Sequence, residues 1–395
     1  MKILIISHKY PPRIGGMERH CFQLVEHLKL SSDVKEVNKI ILGKNESKVH
    51  FFRKLKSRVN HFIDNNRDID LIYLNDGLMV AFCVWLLDQK IPVVATMHGL
   101  DLVFPSNYYQ RKIVPKMHQL SGVIAVSEAT RQACIDRGFN PEKVISIPNG
   151  VDHYIATHQH DKNILEKIES QFNLNLKNKK ILITLGRPVK RKGFVWFIEN
   201  VMDHLPDDIV FLMVGPRSKT KSIAVRIAEL FPEKTRHLLE VAFSISTEEW
   251  RLKQLVNARK NVVEVGKLPF NDVLSLLNIS DAFVMPNIQV YGDAEGFGLV
   301  ALEAALSETT VIASGIEGIT DAIHDKKNGF LVPSGKKEAW IKKISEQINY
   351  VQSNKEFAQR AKDYTLKNFG WEKMTKGYLE YFKKIINEHD FNSKP

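Results

Sequence analysis

The sequence predicts an α/β protein built from two doubly wound parallel-sheet domains. Three observations carry that expectation. The chain has 395 residues, room for two domains of ordinary size. Short apolar runs alternate with amphipathic stretches as far as the turn signal Asn149-Gly150. The same alternation restarts at Ile181, after a polar segment. Strands that alternate with helices make a parallel sheet covered on both faces.

In the first half, strand-like runs fall at residues 2–7, 37–42, 70–74, 92–97 and 122–126. The first of these is too short for the core of a signal peptide and has no cleavage site after it. Helical patterns lie between the runs, at 16–30, 50–65, 78–88 and 108–120. Residues 156–180 read as a linker with one helix in it, and the hinge is placed at 155–178. Further runs follow at 181–185, 209–214, 262–265, 282–285 and 310–313. An amphipathic helix at 371–389 closes the chain. The expected domains are therefore 1–160 and 161–370, with a C-terminal helix over 371–395.

The composition excludes several classes. With 44% hydrophobic and 26% charged residues the chain reads as globular, and no run reaches transmembrane length. Cys21, Cys83 and Cys134 are odd in number and far apart, which argues against a disulfide framework and fits a reducing cytosol. A net charge of +11 calls for an acidic partner: nucleotide phosphates, nucleic acid or anionic lipid.

The most informative stretch is Glu295-Gly-Phe-Gly-Leu-Val-Ala-Leu-Glu303. It follows a short buried run ending at Met285-Pro286. The order is strand, loop with an acid, glycine turn, helix, second acid. In an α/β sheet that order puts both acids at the carboxyl edge, where ligands bind. A helix start at Phe297, Gly298 and Leu299 offers backbone N–H groups to a phosphate. A ligand with hydroxyls at one end, a diphosphate in the middle and a ribose at the other fits such a site. A plain helix with a surface Glu at each end is the bland alternative. Other loops repeat the placement. Gly15-Gly16 opens a helix after the first strand, where glycine lets a backbone approach phosphate, although it is not a dinucleotide fingerprint. Arg187 and Lys192 follow the first strand of the second half and are placed to neutralise a diphosphate. Lys190 and Arg191 between them read as a solvated basic turn. His98 stands at the carboxyl end of a strand, followed by Gly99.

These residues closely resemble the glutamate-x7-glutamate signature and flanking motifs of the retaining glycosyltransferases of family 4. The resemblance covers almost the whole chain, including Tyr10-Pro-Pro12, His98-Gly-Leu-Asp101, Ser127-Glu128 and the segment Ile147 to Asp152. It implies the GT-B fold, two Rossmann-like domains facing each other across a cleft, with the last helix crossing back to the first domain. It implies a retaining glycosyltransferase that moves a hexose-type sugar from a nucleotide-sugar donor and needs no metal or other cofactor. Gly15 and Gly16 would meet the donor diphosphate, with Arg187, Lys192 and the helix start. Glu295 and His98 would face the sugar, and Glu303 the ribose. Lys267 and Leu268 match the loop that holds the base. Ser127 would cap a helix, and the 147–152 segment would shape the structure near the hinge.

The chain departs from the family after Val214. Gly215-Pro-Arg217 opens a longer insert, 216–260, with helical stretches at 223–230 and 247–256. Asp68-Ile-Asp70 looks like a metal-binding pair but lies at the start of a strand, the wrong end for a ligand. Basic and aromatic residues mix at 48–62 and 104–116. Phe51, Leu55, Val59 and Phe62 form either a core stripe or the apolar face of a helix lying on an anionic membrane. The second choice suits a glycan or lipid-linked acceptor of cell-envelope polysaccharide or lipopolysaccharide synthesis, handled in the cytoplasm or on the inner face of the membrane. Two other functions are open to such a sequence: a nucleotide-sugar epimerase on the same fold, and a basic nucleic-acid-binding protein. The Glu295/Glu303 spacing opposes the first. The second is opposed because the cations fall partly at ligand loops; no nucleic-acid partner is expected.

Overall fold

The computed structural model describes residues 1–88, 90–217, 227–243, 246–349 and 351–392. Contacts divide the chain into two units, Met1–Gly150 with Phe369–Pro395, and Val151–Asn368.

The first unit holds six parallel strands: β1 (Lys2–Ser7), β2 (Glu36–Ile41), β3 (Leu71–Leu74), β4 (Val93–Met97), β5 (Gly122–Ala125) and β6 (Val144–Ser146). Their order is β2-β1-β3-β4-β5-β6. The winding direction reverses between β1 and β3, so a ligand crevice is expected at their carboxyl ends. Ile3 to Ile6 and Leu71 to Leu74 are fully buried, as in a strand covered on both faces. The 78–88 pattern divides into an α-helix (Gly77–Phe82) and a 3₁₀ turn (Val84–Asp88). The 108–120 pattern divides into a π turn (Tyr109–Ile113) and an α-helix (Val114–Met117). Pro115 sits in the first turn of that helix; it has no N–H to continue an α-ladder through the junction.

The helix Lys48–Asn65 settles the question left by its stripe. Phe51, Leu55 and Val59 are buried in the core with Leu4, Ile72 and Leu86, and Phe62 packs against that core. Its exposed face carries Arg53, Lys54 and Lys56. Of the two readings left open for the stripe, the core contact is the one it makes.

The last helix, Trp371–Asn392, packs on the helix Gly16–Lys29 of the first unit. Tyr378, Phe382 and Ile385 are buried there. The Tyr381 hydroxyl donates to the Lys143 carbonyl at 2.6 Å.

The second unit repeats the architecture with β7 (Lys180–Leu185), β8 (Ile209–Val214), β9 (Val262–Gly266), β10 (Ala282–Met285), β11 (Val311–Ser314) and β12 (Phe330–Val332). The order β12-β11-β10-β7-β8-β9, all parallel, reverses between β7 and β10. Its core gathers Phe197, Phe211, Leu252 and Trp340. The division of the chain at Gly150 lies upstream of the hinge expected at 155–178. That segment docks on the second unit: its helix Ile164–Phe172 buries Ile164 and Ile168, and Asp161 N–H donates to Ser275 Oγ at 2.9 Å. Two apolar residues four apart are enough to seat it, and its polar composition hides them.

In the insert, Glu249–Asn257 forms a helix close to the expected 247–256, and Glu233–Phe243 forms one that the sequence did not suggest. Of the helix expected at 223–230, residues 223–226 lie outside the described residues, and 227–229 are helical. Arg251 pairs with Glu199 at 2.6 Å and Arg259 with Asp203 at 2.7 Å, tying the insert to the sheet's outer helix layer. Among the described residues no helix is long and apolar enough to cross a membrane.

Candidate active site

In the second unit the site begins at the reversal point. The chain leaves β7 through Gly186, Arg187 and Pro188 into a 3₁₀ turn, Lys190–Lys192. Gly193 follows at φ +68°, and a Cβ there would stand 2.0 Å from the Pro286 carbonyl oxygen. Only glycine lets this turn lean on the end of β10. The lean carries Lys192 inward: it is 8% exposed, and its Nζ lies 2.6 Å from Glu295 Oε2. Glu295 comes from the other side, on the loop that runs from β10 to the helix Leu299–Leu306.

Three more groups hold Glu295. Asn287, 1% exposed, donates from Nδ2 to Oε2 at 3.1 Å, and its own carbonyl accepts from Ser334 Oγ at 2.8 Å. Arg191 lies 3.7 Å from Glu295 Oε2 and 3.4 Å from Asp293 Oδ1. The Glu295 N–H donates to Glu317 Oε2 at 2.6 Å. Burial alone would raise the Glu295 pKa. The Lys192 and Arg191 charges, with hydrogen bonds from Lys192 and Asn287, overcome that and hold it at about 2. Burial lowers the Lys192 pKa, opposed by Glu295. The site is thus a carboxylate kept ionised between two cations, at the carboxyl ends of the two strands where ligands sit. Such a carboxylate accepts hydrogen bonds from hydroxyls, and such cations meet phosphate.

Phe297, Gly298 and Leu299 lead from Glu295 into the helix, and Glu303, 6% exposed, lies on it. Arg187 is exposed on the same loop as Lys192. Lys267 and Leu268 continue from β9, two strands from β7 along the same edge. A small cavity between these strand ends is lined by Gly186, Gly215, Arg217 and Glu264, among others. Arg217 lies 5.2 Å from the centre of the Phe172 ring and donates to the Val265 carbonyl at 3.3 Å.

Arg191 corrects the sequence reading. It is no solvated turn residue but part of the cluster that holds the acids, while Lys190 is exposed as expected. Asp293 and Glu317 were missed as well. Asp293 lies on the same loop as Glu295 but two residues outside the glycine-turn stretch, and Glu317 reaches the cluster from the separate turn after β11, where no local pattern marks it.

In the first unit, His98 directly follows β4 and is half-buried. Its Nε2–H donates to the Asn75 carbonyl at 2.8 Å, and its backbone N–H to Asp101 Oδ2 at 2.7 Å. Burial pushes its pKa down to about 4, so the ring is neutral at pH 7 and Nδ1 is the nitrogen left to accept. The fully buried His20 ring packs edge-on against His98, with centroids 5.1 Å apart. His20 in turn meets Asn149 Oδ1 at 2.8 Å and the hydroxyls of Tyr73 and Tyr378 at 3.3 Å each. Thr96 bridges those tyrosines, at 2.7 and 2.9 Å. Asn149 and the C-terminal helix therefore support the packing behind His98. Gly15 and Gly16 are exposed at the entry to the helix Gly16–Lys29. Ser127 caps its helix by accepting from Thr130 N–H at 3.1 Å. Asp68 and Asp70 are engaged at the opposite sheet edge, where Asp70 accepts from Lys2 N–H at 2.7 Å and Asp68 pairs with Lys2 Nζ. Among the described residues no group of three His, Cys, Asp or Glu is placed to hold a metal.

Two family models match the chain: glycosyltransferase family 4 over residues 32–154, and glycosyl transferases group 1 over residues 166–364. The second alone spans more than half of the chain. The chain belongs to the glycosyl transferases group 1. It is a glycosyltransferase with the GT-B fold. This glycosyltransferase is 23% identical to the alpha-maltose-1-phosphate synthase of Mycolicibacterium smegmatis, over 98% of the chain and 100% of the relative. It is 23% identical to the capsular polysaccharide biosynthesis glycosyltransferase CapM of Staphylococcus aureus, over 92% of the chain and 86% of the relative. Among solved structures, Anabaena HepE in complex with UDP-glucose matches with a TM-score of 0.70 at 18% identity, covering 97% of this chain and 100% of that one.

Proposed function

We propose that this glycosyltransferase is retaining and metal-independent. It moves a hexose-type sugar from a nucleotide-sugar donor to a glycan or lipid-linked acceptor, in cell-envelope polysaccharide or glycolipid synthesis. The observation that carries the reading is the Lys192–Glu295 pair at the reversal point of the second sheet. One group is a cation for a departing diphosphate, the other an acceptor for sugar hydroxyls, and they are already in register. Lys192, Arg187, the Gly15 and Gly16 amides and the helix start at Phe297, Gly298 and Leu299 would stabilise the leaving group. Glu295 and the Nδ1 of His98 would accept from the sugar, Glu303 from the ribose, and Lys267 and Leu268 would flank the base. In the transfer, the bond from the anomeric carbon to the diphosphate breaks. The bond to the acceptor oxygen forms on the same face, and the acceptor proton passes to the departing phosphate oxygen. Cations built into the protein do the electrostatic work that a metal does in other enzymes. The HepE complex with UDP-glucose and the capsular polysaccharide relative support the choice of donor and pathway.

The test is transfer from UDP-glucose, and from other nucleotide sugars in turn, with the anomeric configuration of the product read by NMR. The configuration of the donor is expected in the product, and the rate is expected to persist in excess EDTA. Inverted product would exclude retention, and loss in EDTA restored by magnesium or manganese would exclude metal independence.

The acceptor side of the proposal places the protein in the cytoplasm, peripheral on the inner membrane face. With the apolar stripe of Lys48–Asn65 in the core, attraction is electrostatic. It comes from Arg53, Lys54 and Lys56, and from Arg111, Lys112 and Lys116 beside the exposed Tyr108. Each such cation contributes about 1 kcal/mol near an anionic surface. The enzyme is expected to float with anionic vesicles at low salt and to release at high salt. Indifference to those vesicles would point to a soluble acceptor.

A further inference from the structure

Glu317 stands in the turn between β11 and the short helix Ile319–Ala322. Its backbone has φ +50°, in the left-handed region that favours glycine. A residue kept there in spite of its Cβ points to a demand on its side chain. Its carboxylate accepts from the Glu295 N–H at 2.6 Å, and the next residue, Gly318, donates its N–H to the Glu295 carbonyl at 3.1 Å. Two consecutive residues thus grip both backbone groups of Glu295. A Cβ on Gly318 would stand 1.9 Å from the Gly296 carbonyl oxygen, so the turn lies directly on the glycine turn behind Glu295. The Glu295 side chain is held separately, by Lys192, Arg191 and Asn287.

We propose that Glu317 is a positioning residue: its carboxylate fixes the backbone of Glu295, so that the Glu295 carboxylate meets the transferred sugar in one orientation. This rests on the reading of Glu295 as the sugar contact. A second property follows from the same cluster. Asp293, Glu295 and Glu317 supply three carboxylates, against Arg191 and Lys192 from the turn after β7. Burial raises Glu317 to about 7, with repulsion from Glu295 and Asp293 adding to it, against the Glu295 N–H bond and the attraction of Arg191. Below that pH Glu317 is neutral. Above it, a third negative charge stands beside the cations that are to meet the diphosphate. Catalytic efficiency toward the donor therefore falls as pH rises through neutrality.

The experiment measures turnover, donor KM and melting temperature for E317A, E317G, E317Q and E295Q. The donor is UDP-glucose, which has no ionisation of its own near pH 7, or the nucleotide sugar that replaces it in the transfer assay. E317A and E317G are expected to lose about ten- to hundredfold in turnover, the scale of a small misplacement in a reacting geometry. E317G should nonetheless melt no lower than E317A, since glycine takes the positive φ without strain. E317Q keeps an acceptor oxygen for the Glu295 N–H. It should retain most of the turnover and lose the decline of kcat/KM above neutral pH. Wild-type turnover in E317A and E317G would overturn the proposal. So would a joint loss of folding and activity that E317Q does not rescue, or a wild-type pH profile in E317Q. If E295Q turns over normally, the sugar-contact reading falls and this inference with it; if E295Q is impaired and E317A is not, this inference alone falls.

Discussion

Lys192→Ala is expected to lower turnover by about two to three orders of magnitude, the effect of removing one preorganised group that meets charge developing in the transition state. That corresponds to about 3–4 kcal/mol of lost stabilisation of the departing diphosphate. The substitution also leaves Glu295 buried without its nearest cation. Arg191 at 3.7 Å and Asn287 at 3.1 Å remain, so the fold is expected to survive with a lowered melting temperature. Adding Glu295→Gln to Lys192→Ala removes the stranded charge. The double variant should regain melting temperature and gain no turnover, because the two residues act as one unit on stability and through different atoms on the substrate. Steady-state kinetics with calorimetric melting separates the two effects. A well-folded Lys192→Ala enzyme with near-normal turnover would remove Lys192 from the mechanism.

Ending the chain after Asn368 is expected to abolish folding of the first unit. The removed segment buries Phe369, Trp371, Met374, Tyr378, Tyr381, Phe382 and Ile385. At about 1.5–3 kcal/mol for each large apolar side chain, their sum is as large as the whole stability of a typical domain, about 5–15 kcal/mol. Truncation also uncovers the helix Gly16–Lys29 and removes Tyr378 from the hydroxyl network behind His98. Limited proteolysis of the 1–368 chain should digest the first unit and spare the second. Tyr378→Phe, which keeps the ring and loses only the hydroxyl, should cost about 1 kcal/mol and leave a folded enzyme. A 1–368 chain with both units protease-resistant would show that the helix is an accessory.

Much of the fold was legible because parallel strands buried on both faces are nearly continuous apolar runs. Residues 209–214 and 282–285 were placed as strands with the bounds they have in the structure. The strands that escaped notice, β6 and β12, have three residues each, and pairing with a longer neighbour makes them strands. Part of the site was legible for a similar reason. Glu295, the glycine turn and Glu303 lie on one short stretch, where spacing along the chain is spacing in the structure. Lys192 was visible at a strand end. Its partner Arg191 was not, since neighbouring residues in a turn differ only in which way the backbone aims them.

By itself, then, the sequence determined the alternation of elements, the carboxyl-edge loops and the local chemistry at Glu295, Lys192 and His98. Tertiary structure alone decided four things: the strand orders, the seat of residues 156–178, the burial of the Phe51, Leu55 and Val59 stripe, and the return of the last helix to the first unit. It also decided that Glu317, 22 residues beyond Glu295, would grip its backbone. Local readings follow from hydrophobic period and turn chemistry, which act over a few residues. The others depend on which surfaces meet after the chain has folded back on itself. An apolar stripe states only that it needs cover, and packing supplies the cover.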